Sequence, residues 1–158
     1  MYTNEHWIIR LRLEDSGREI TSEKTKLLIL PFPNNPTGAI MEKEDLEPIV
    51  NILKDTNVAI LSDEIYAELT YGKPHISVAA FEGMRERTVI VGGFSKAYAM
   101  TGWRLGYTLA PKEISAAMYK IHQYAIMCAP TTSQFAAIID IGKGRCMSVF
   151  QGVRIPRC

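Results

Sequence analysis

Three short apolar runs constrain the fold of this chain more than any other feature. Each has four apolar or β-branched residues without polar alternation, which is typical of strands buried on both faces of a parallel sheet. The runs are Leu27–Leu30, Val58–Leu61 and Thr88–Val91. A fourth strand, Leu105–Leu109, is predicted to end before Pro111. The sequence therefore predicts the α/β class with a mostly parallel sheet.

Helical patterns account for much of the remaining chain. A helix is predicted over roughly 43–54, because four apolar residues recur at helical spacing: Leu46, Ile49, Val50 and Leu53. Proline is tolerated only near the first turn of a helix, so we expect this helix to begin just before Pro48. The other predicted elements are helices at 112–127 and 132–139 and, within the polar segment 1–26, a strand at 7–9 and a helix at 13–20.

Composition and charge limit the class of protein. The 158 residues carry a formal net charge of +1 and are 47% hydrophobic, which suits one globular domain. The charge offers no basic stripe for nucleic acid, and no apolar run approaches the roughly 20 residues that a membrane span needs. We therefore expect neither partner. The three cysteines form no CxxC pair and no signal peptide is evident, so we expect a cytoplasmic protein. The three histidines have no metal-ligand spacing, and we expect no metal site.

Polar side chains follow three of the predicted strands. They are Asn35, Asp63 and Lys96, and ligands of such sheets bind at the carboxyl ends of the strands. A partly desolvated lysine loses its proton more easily, so Lys96 is a candidate nucleophile that forms a Schiff base. Ser95, nearby backbone N–H groups and Arg104 are candidates to bind a phosphate. The alternative is a glycine-rich turn with a surface lysine and a structural arginine.

The segment from Ser95 to Gly106 resembles the lysine segment of the class I/II aminotransferases, which are pyridoxal 5′-phosphate (PLP) enzymes of fold type I. The shared pattern is Ser-Lys-x-x-x-Met-Thr-Gly-x-Arg-x-Gly. Asn-Pro-Thr-Gly at 35–38 and Asp-Glu-Ile-Tyr at 63–66 resemble two further motifs of the family. The resemblance covers about 18–139 and is closest to the aspartate and aromatic aminotransferase branch.

The resemblance implies a role for each matched residue. Asn35 and Tyr66 would bind the phenolic oxygen of PLP, Asp63 would pair with the pyridinium nitrogen, and Lys96 would form the Schiff base. A carboxylate beside that nitrogen keeps it protonated, so that the ring acts as an electron sink. Considered singly, Asn35 is an ordinary turn residue, Asp63 a loop or capping aspartate, and Tyr66 a half-buried aromatic.

The phosphate of PLP is assigned by the resemblance to Ser95 and Arg104. Gly93 stands where many members of the family have a second phosphate-binding serine, so the backbone N–H of Gly93 is the group that remains there.

The resemblance also implies the architecture and the reaction. We expect part of a three-layer α/β/α large domain over 1–139, and transfer of an amino group from an amino acid to a 2-oxo acid, in a homodimer when full length. Another fold type I reaction, such as that of a carbon–sulfur lyase, and a non-catalytic remnant are the alternatives. Residues 140–158 show no family pattern, and we interpret them as a frameshifted or disordered tail of a truncated fragment.

Overall fold

The computed structural model describes residues 24–142. The elements predicted at 7–9 and 13–20, and the segment after residue 142, lie outside this range. The strands and helices, in chain order, are β1 (Leu27–Leu30), α1 (Lys43–Leu53), β2 (Ala59–Asp63), β3 (Thr88–Gly93), β4 (Gly106–Leu109), α2 (Lys112–Ala125) and α3 (Thr131–Gly142). Within 24–142, every predicted strand and helix is therefore present. No helix in this range is both long and apolar enough to cross a membrane.

The four strands form one sheet in the order β1-β2-β3-β4. β1 pairs with β2 and β2 with β3 in parallel, with Leu28 beside Ile60 and Ile60 beside Thr88. β4 runs antiparallel to β3, because the connection over 94–105 contains no long crossover helix and turns the chain back. The predicted α/β class and mostly parallel sheet are confirmed. Among the described residues, β1 and β4 are each paired on one side only.

The main core lies between α1 and the parallel strands. Its members from α1 are the four apolar residues of the predicted stripe, each at most 4% exposed: Leu46, Ile49, Val50 and Leu53. They pack in one cluster with Leu30, Ile60 and Met84. Full burial of a large aliphatic side chain contributes about 1.5–3 kcal/mol, so this stripe holds α1 on the sheet.

The start of α1 corrects one expectation. The helix begins at Lys43, so Pro48 lies inside it and not at its first turn. Proline at this position removes the N–H that would bond the carbonyl of Glu44. The acidic first turn compensates, because Asp45 Oδ2 accepts a hydrogen bond from the N–H of Glu42 (2.9 Å). Burial of the apolar stripe and this cap together outweigh the lost bond.

The last two helices differ in how they pack. α3 buries Ala137 in a second cluster with Phe94, Met100 and Leu105, and it extends three residues beyond its predicted end. α2 buries no residue, and its Tyr124 is 95% exposed. Within the described range, α2 therefore leaves several large apolar side chains exposed, such as Ile121 at 71%.

Candidate functional site

The residues singled out by the sequence lie at one edge of the sheet. Asn35 follows β1, Asp63 is the last residue of β2, and Lys96 lies three residues after β3. Since β1, β2 and β3 are parallel, their carboxyl ends meet at this edge. Three loops that are distant in sequence thus contribute an amide, a carboxylate and an amine to the same rim.

Asn35, Tyr66 and Lys96 form the closest group. The Nδ2 of Asn35 donates a hydrogen bond to the Oη of Tyr66 (3.1 Å). The Nζ of Lys96 lies 5.3 Å from the centroid of the Tyr66 ring, within the range of a cation–π contact. Lys96 is half-buried and forms no ion pair within residues 24–142, so no carboxylate there neutralises its amine.

The loop after β1 holds Asn35 in place through its neighbour Asn34. The N–H of Asn34 donates to the carbonyl of Ala39 (2.9 Å), and the carbonyl of Asn34 accepts from the N–H of Gly38 (2.9 Å). The Asn34 side chain also accepts a hydrogen bond from Thr37 Oγ1 (2.9 Å). Gly38 has φ +70°, a conformation that glycine adopts without strain. This closed turn directs the Asn35 amide to Tyr66.

Asp63 occupies the end of β2 in a half-buried position. Its Oδ1 accepts a hydrogen bond from the N–H of Ile65 (3.2 Å), while its Oδ2 makes no hydrogen bond within the described part of the chain. The N–H of Glu64 bonds the carbonyl of Val91 (2.9 Å), which continues the pairing of β2 with β3 beyond the strand end. The Asp63 carboxylate is therefore fixed at one oxygen and open at the other.

Ser95 and Arg104 are connected through Thr101. Thr101 Oγ1 donates to the backbone carbonyl of Ser95 (2.8 Å), and Arg104 Nη1 donates to the carbonyl of Thr101 (3.2 Å). Arg104 is exposed and adopts a left-handed conformation, with φ 52° and ψ 48°. The structure thus joins the two predicted phosphate ligands through a residue to which the sequence analysis gave no role. The signal for Thr101 was its place in the Met-Thr-Gly motif.

The two glycines that end β3 are explained by close packing. A Cβ on Gly92 would lie 2.6 Å from Cζ of Tyr107, and one on Gly93 would lie 2.9 Å from Cδ1 of Ile65. The ring of Tyr107 packs edge-on against Phe94, with centroids 5.7 Å apart. The strand end that leads to Lys96 is therefore enclosed by side chains on both faces.

A second polar cluster lies on the other side of β2 and was missed by the sequence analysis. Glu64 Oε1 accepts hydrogen bonds from Ser62 Oγ (2.9 Å) and Ser77 Oγ (2.6 Å). The Nε2 of His75 lies 3.0 Å from Glu64 Oε2, without the alignment of a hydrogen bond, and the contact is an ion pair only when the imidazole is protonated. Burial alone would raise the pKa of the Glu64 carboxyl, but the contacts from His75, Ser77 and Ser62 together lower that pKa below its usual 4.5.

The sequence matches one family model and several known proteins. The family model for aminotransferase class I and II matches residues 8–144. The chain is 54% identical over 123 residues to the Bacillus subtilis protein YugH, covering 78% of this chain and 32% of that protein. It is 43% identical over 136 residues to an aspartate aminotransferase of Pyrococcus abyssi, covering 85% of this chain and 35% of the relative.

Solved structures give the same result. The crystal structure of an aromatic aminotransferase from Pyrococcus horikoshii matches with a TM-score of 0.73 and 42% identity, over 77% of this chain and 33% of that one. A Thermus thermophilus aspartate aminotransferase double mutant matches with a TM-score of 0.73 and 36% identity, over 78% of this chain and 32% of that one. The chain spans about a third of the length of these relatives.

Proposed function

The chain belongs to the aminotransferase class I and II family, and from this premise we propose that it forms the PLP-binding part of an aminotransferase. The structural matches confirm the predicted fold class, part of the α/β domain of such enzymes. The proposed reaction moves an amino group from an amino acid to a 2-oxo acid. The carbon–sulfur lyase alternative gains no support from these relatives.

The convergence of Asn35, Tyr66 and Lys96 carries the proposal. The Asn35 amide lies 3.1 Å from the phenolic oxygen of Tyr66, and the Lys96 amine lies 5.3 Å from the centroid of the same ring. The phenolic oxygen and aldehyde of PLP are adjacent on its ring. A pair of hydrogen-bond donors beside an amine suits these two groups, so the residues present fit the cofactor. Asn35 and Tyr66 would bind the oxygen, and Lys96 would hold the cofactor covalently.

Asp63 would bind the nitrogen of the PLP ring. Its Oδ2 is open and can accept a hydrogen bond from a protonated ring nitrogen, while the N–H of Ile65 keeps Oδ1 in place. When bound, PLP supplies an electron sink for the bond broken at the substrate Cα. A carboxylate at the pyridine nitrogen favours the protonated ring, which makes that sink stronger.

The amine of Lys96 would also transfer the proton. Once a substrate amine takes its place, the freed Nζ of Lys96 can accept the proton from the substrate Cα, acting as a general base. Arg104 and Ser95 would bind the phosphate and thereby orient the cofactor.

The remaining partners belong to the same proposal. The substrates would be an amino acid and a 2-oxo acid, the full-length protein would be a homodimer, and its location would be the cytoplasm. The division into a domain over 1–139 and a tail over 140–158 stays a prediction, with α3 continuing to Gly142.

Covalent labelling tests the assignment of Lys96. The protein is incubated with PLP, reduced with borohydride and digested, and the modified peptide is mapped. We expect label mainly at Lys96 and its loss in Lys96→Ala. The matched control is Lys120→Ala, at an exposed position on α2, which should leave the labelling unchanged. Label spread evenly over the exposed lysines, with none preferred at Lys96, would contradict the proposal.

A further inference from the structure

We infer that Glu64 is a positioning residue: its carboxylate, clamped by Ser62, Ser77 and His75, fixes the loop that presents Asp63 and Tyr66. The inference rests on the proposed function only for what Asp63 and Tyr66 do. The clamp itself is a property of the described fold.

The clamp joins two segments that are separate in sequence. Ser62 belongs to β2, whereas His75 and Ser77 come from the chain that leads into the 3₁₀ turn at Val78–Ala80. Ser77 also caps that turn, because its Oγ accepts a hydrogen bond from the N–H of Ala79 (3.3 Å). The Glu64 carboxylate is therefore the point at which the returning chain is attached to the end of β2.

Burial makes this attachment strong. The side chain of Glu64 is 9% exposed and that of His75 is 14% exposed. A buried carboxylate is costly unless it is paired and hydrogen-bonded. Here Oε1 accepts two hydrogen bonds, and Oε2 lies 3.0 Å from His75 Nε2. Two further titratable groups, Tyr107 and Glu68, line the cleft beside Glu64. Burial raises the pKa of the Tyr107 phenol, and the charges of Glu68 and Glu64 raise it further. The cleft has a volume of about 630 Å³, and Lys73 and His75 also line it.

The backbone hydrogen bonds of Glu64 carry the effect of the clamp to Asp63 and Tyr66. The N–H of Glu64 bonds the carbonyl of Val91, and the carbonyl of Glu64 accepts from the N–H of Ala67 (both 2.9 Å). With its side chain held as well, Glu64 cannot rotate without moving its neighbours. Asp63 precedes it and Tyr66 follows two residues later, so both side chains take their direction from this one residue. Ser62 and Asp63 are adjacent residues of β2 and point to opposite faces, so Ser62 holds the Glu64 carboxylate on the face opposite to Asp63.

Amide hydrogen exchange of the whole chain, without cofactor, tests the inference. The variants are Glu64→Gln, which keeps the shape but removes the charge, and Ser77→Ala, which removes one donor. The control is Glu82→Gln, at an exposed glutamate. We expect the amides of Glu64, Ile65 and Ala67 to exchange about tenfold or more faster in Glu64→Gln, because hydrogen bonds to charged groups are the strong ones. Ser77→Ala should give a smaller change at the same amides.

The amides of α1 distinguish a local role from general destabilisation. They should change less than about twofold in both variants, as in Glu82→Gln. Unchanged exchange at Glu64, Ile65 and Ala67, or an equal rise throughout α1, would overturn the inference. If Glu64→Gln does not fold, Ser77→Ala alone decides between these outcomes. Because no cofactor is added, failure of the PLP assignment would leave this result intact.

Discussion

Replacing Gly92 with alanine should destabilise the protein because of one side chain, Tyr107. The backbone of Gly92 does not lie in the left-handed region, so alanine can adopt its conformation. The new Cβ would lie 2.6 Å from Cζ, 2.7 Å from Oη and 2.8 Å from Cε2 of Tyr107. Carbon atoms in favourable contact lie about 3.5–4.0 Å apart, so the ring must move by about 1 Å.

Two opposing terms set the size of the effect. Overpacking of this kind costs about 1–3 kcal/mol. Glycine within a strand is about 0.5–1 kcal/mol less favourable than alanine, so the substitution recovers part of that cost. We expect a net loss of about 0–2.5 kcal/mol, which lowers the melting temperature by about 2–4 °C per kcal/mol for a chain of this length.

The Tyr107→Ala background provides the decisive control. Without the ring there is no clash, and Gly92→Ala should then stabilise the protein by about 0.5–1 kcal/mol. Urea unfolding followed by circular dichroism on the four proteins of this cycle measures both values and their coupling. If Gly92→Ala has the same effect in both backgrounds, the coupling is zero and the packing argument is wrong.

Three further predictions follow from the site and the fold. The Glu64 carboxyl has a folded-state pKa below 4.5, so its ionised form should stabilise the fold above about pH 4.5. This contribution is lost as the pH falls through the lower, folded-state pKa. Acid unfolding of Glu64→Gln should lack that component, and acid unfolding curves identical to those of the native protein would contradict the prediction. In a full-length enzyme that carries this segment, Asp63→Ala should lower turnover on the order of 100-fold while PLP binding changes far less, and full activity in a turnover assay would reject the pyridine-nitrogen role. The 158-residue chain tested alone should be poorly soluble and without appreciable amino transfer to 2-oxoglutarate, because in the described range β1 and β4 have unpaired sides and α2 is exposed; turnover at roughly 1–10³ per second by a monodisperse sample would refute this.

The strands and the α1 stripe could be predicted because burial leaves a direct trace in the sequence. Apolar runs mark strands covered on both faces, and the spacing of Leu46, Ile49, Val50 and Leu53 marks one face of a helix. The common edge for Asn35, Asp63 and Lys96 followed from the rule that parallel strands end together. Each of these inferences depends on local pattern plus one general property of sheets.

The Glu64 clamp could not be predicted because no local sequence pattern marks it. Its partners His75 and Ser77 lie in a segment without periodicity, and their meeting with Glu64 depends on the path of the loop over 64–77. The start of α1 was mispredicted because the rule for Pro48 considers the backbone alone. There, burial of neighbouring side chains outweighed one missing hydrogen bond.

The left-handed backbone of Arg104 has a consequence for how this position can vary. A non-glycine residue in that conformation costs about 1–3 kcal/mol, and the strain persists here in an exposed side chain that gains little from burial. Glycine would relieve the strain but remove the guanidinium proposed to bind phosphate. Most other residues would keep the strain and also lose the bidentate fork. Stability and the proposed anion binding therefore favour different residues at this position. If Arg104 binds phosphate as proposed, Arg104→Gly would raise the free energy of unfolding and weaken that binding at the same time.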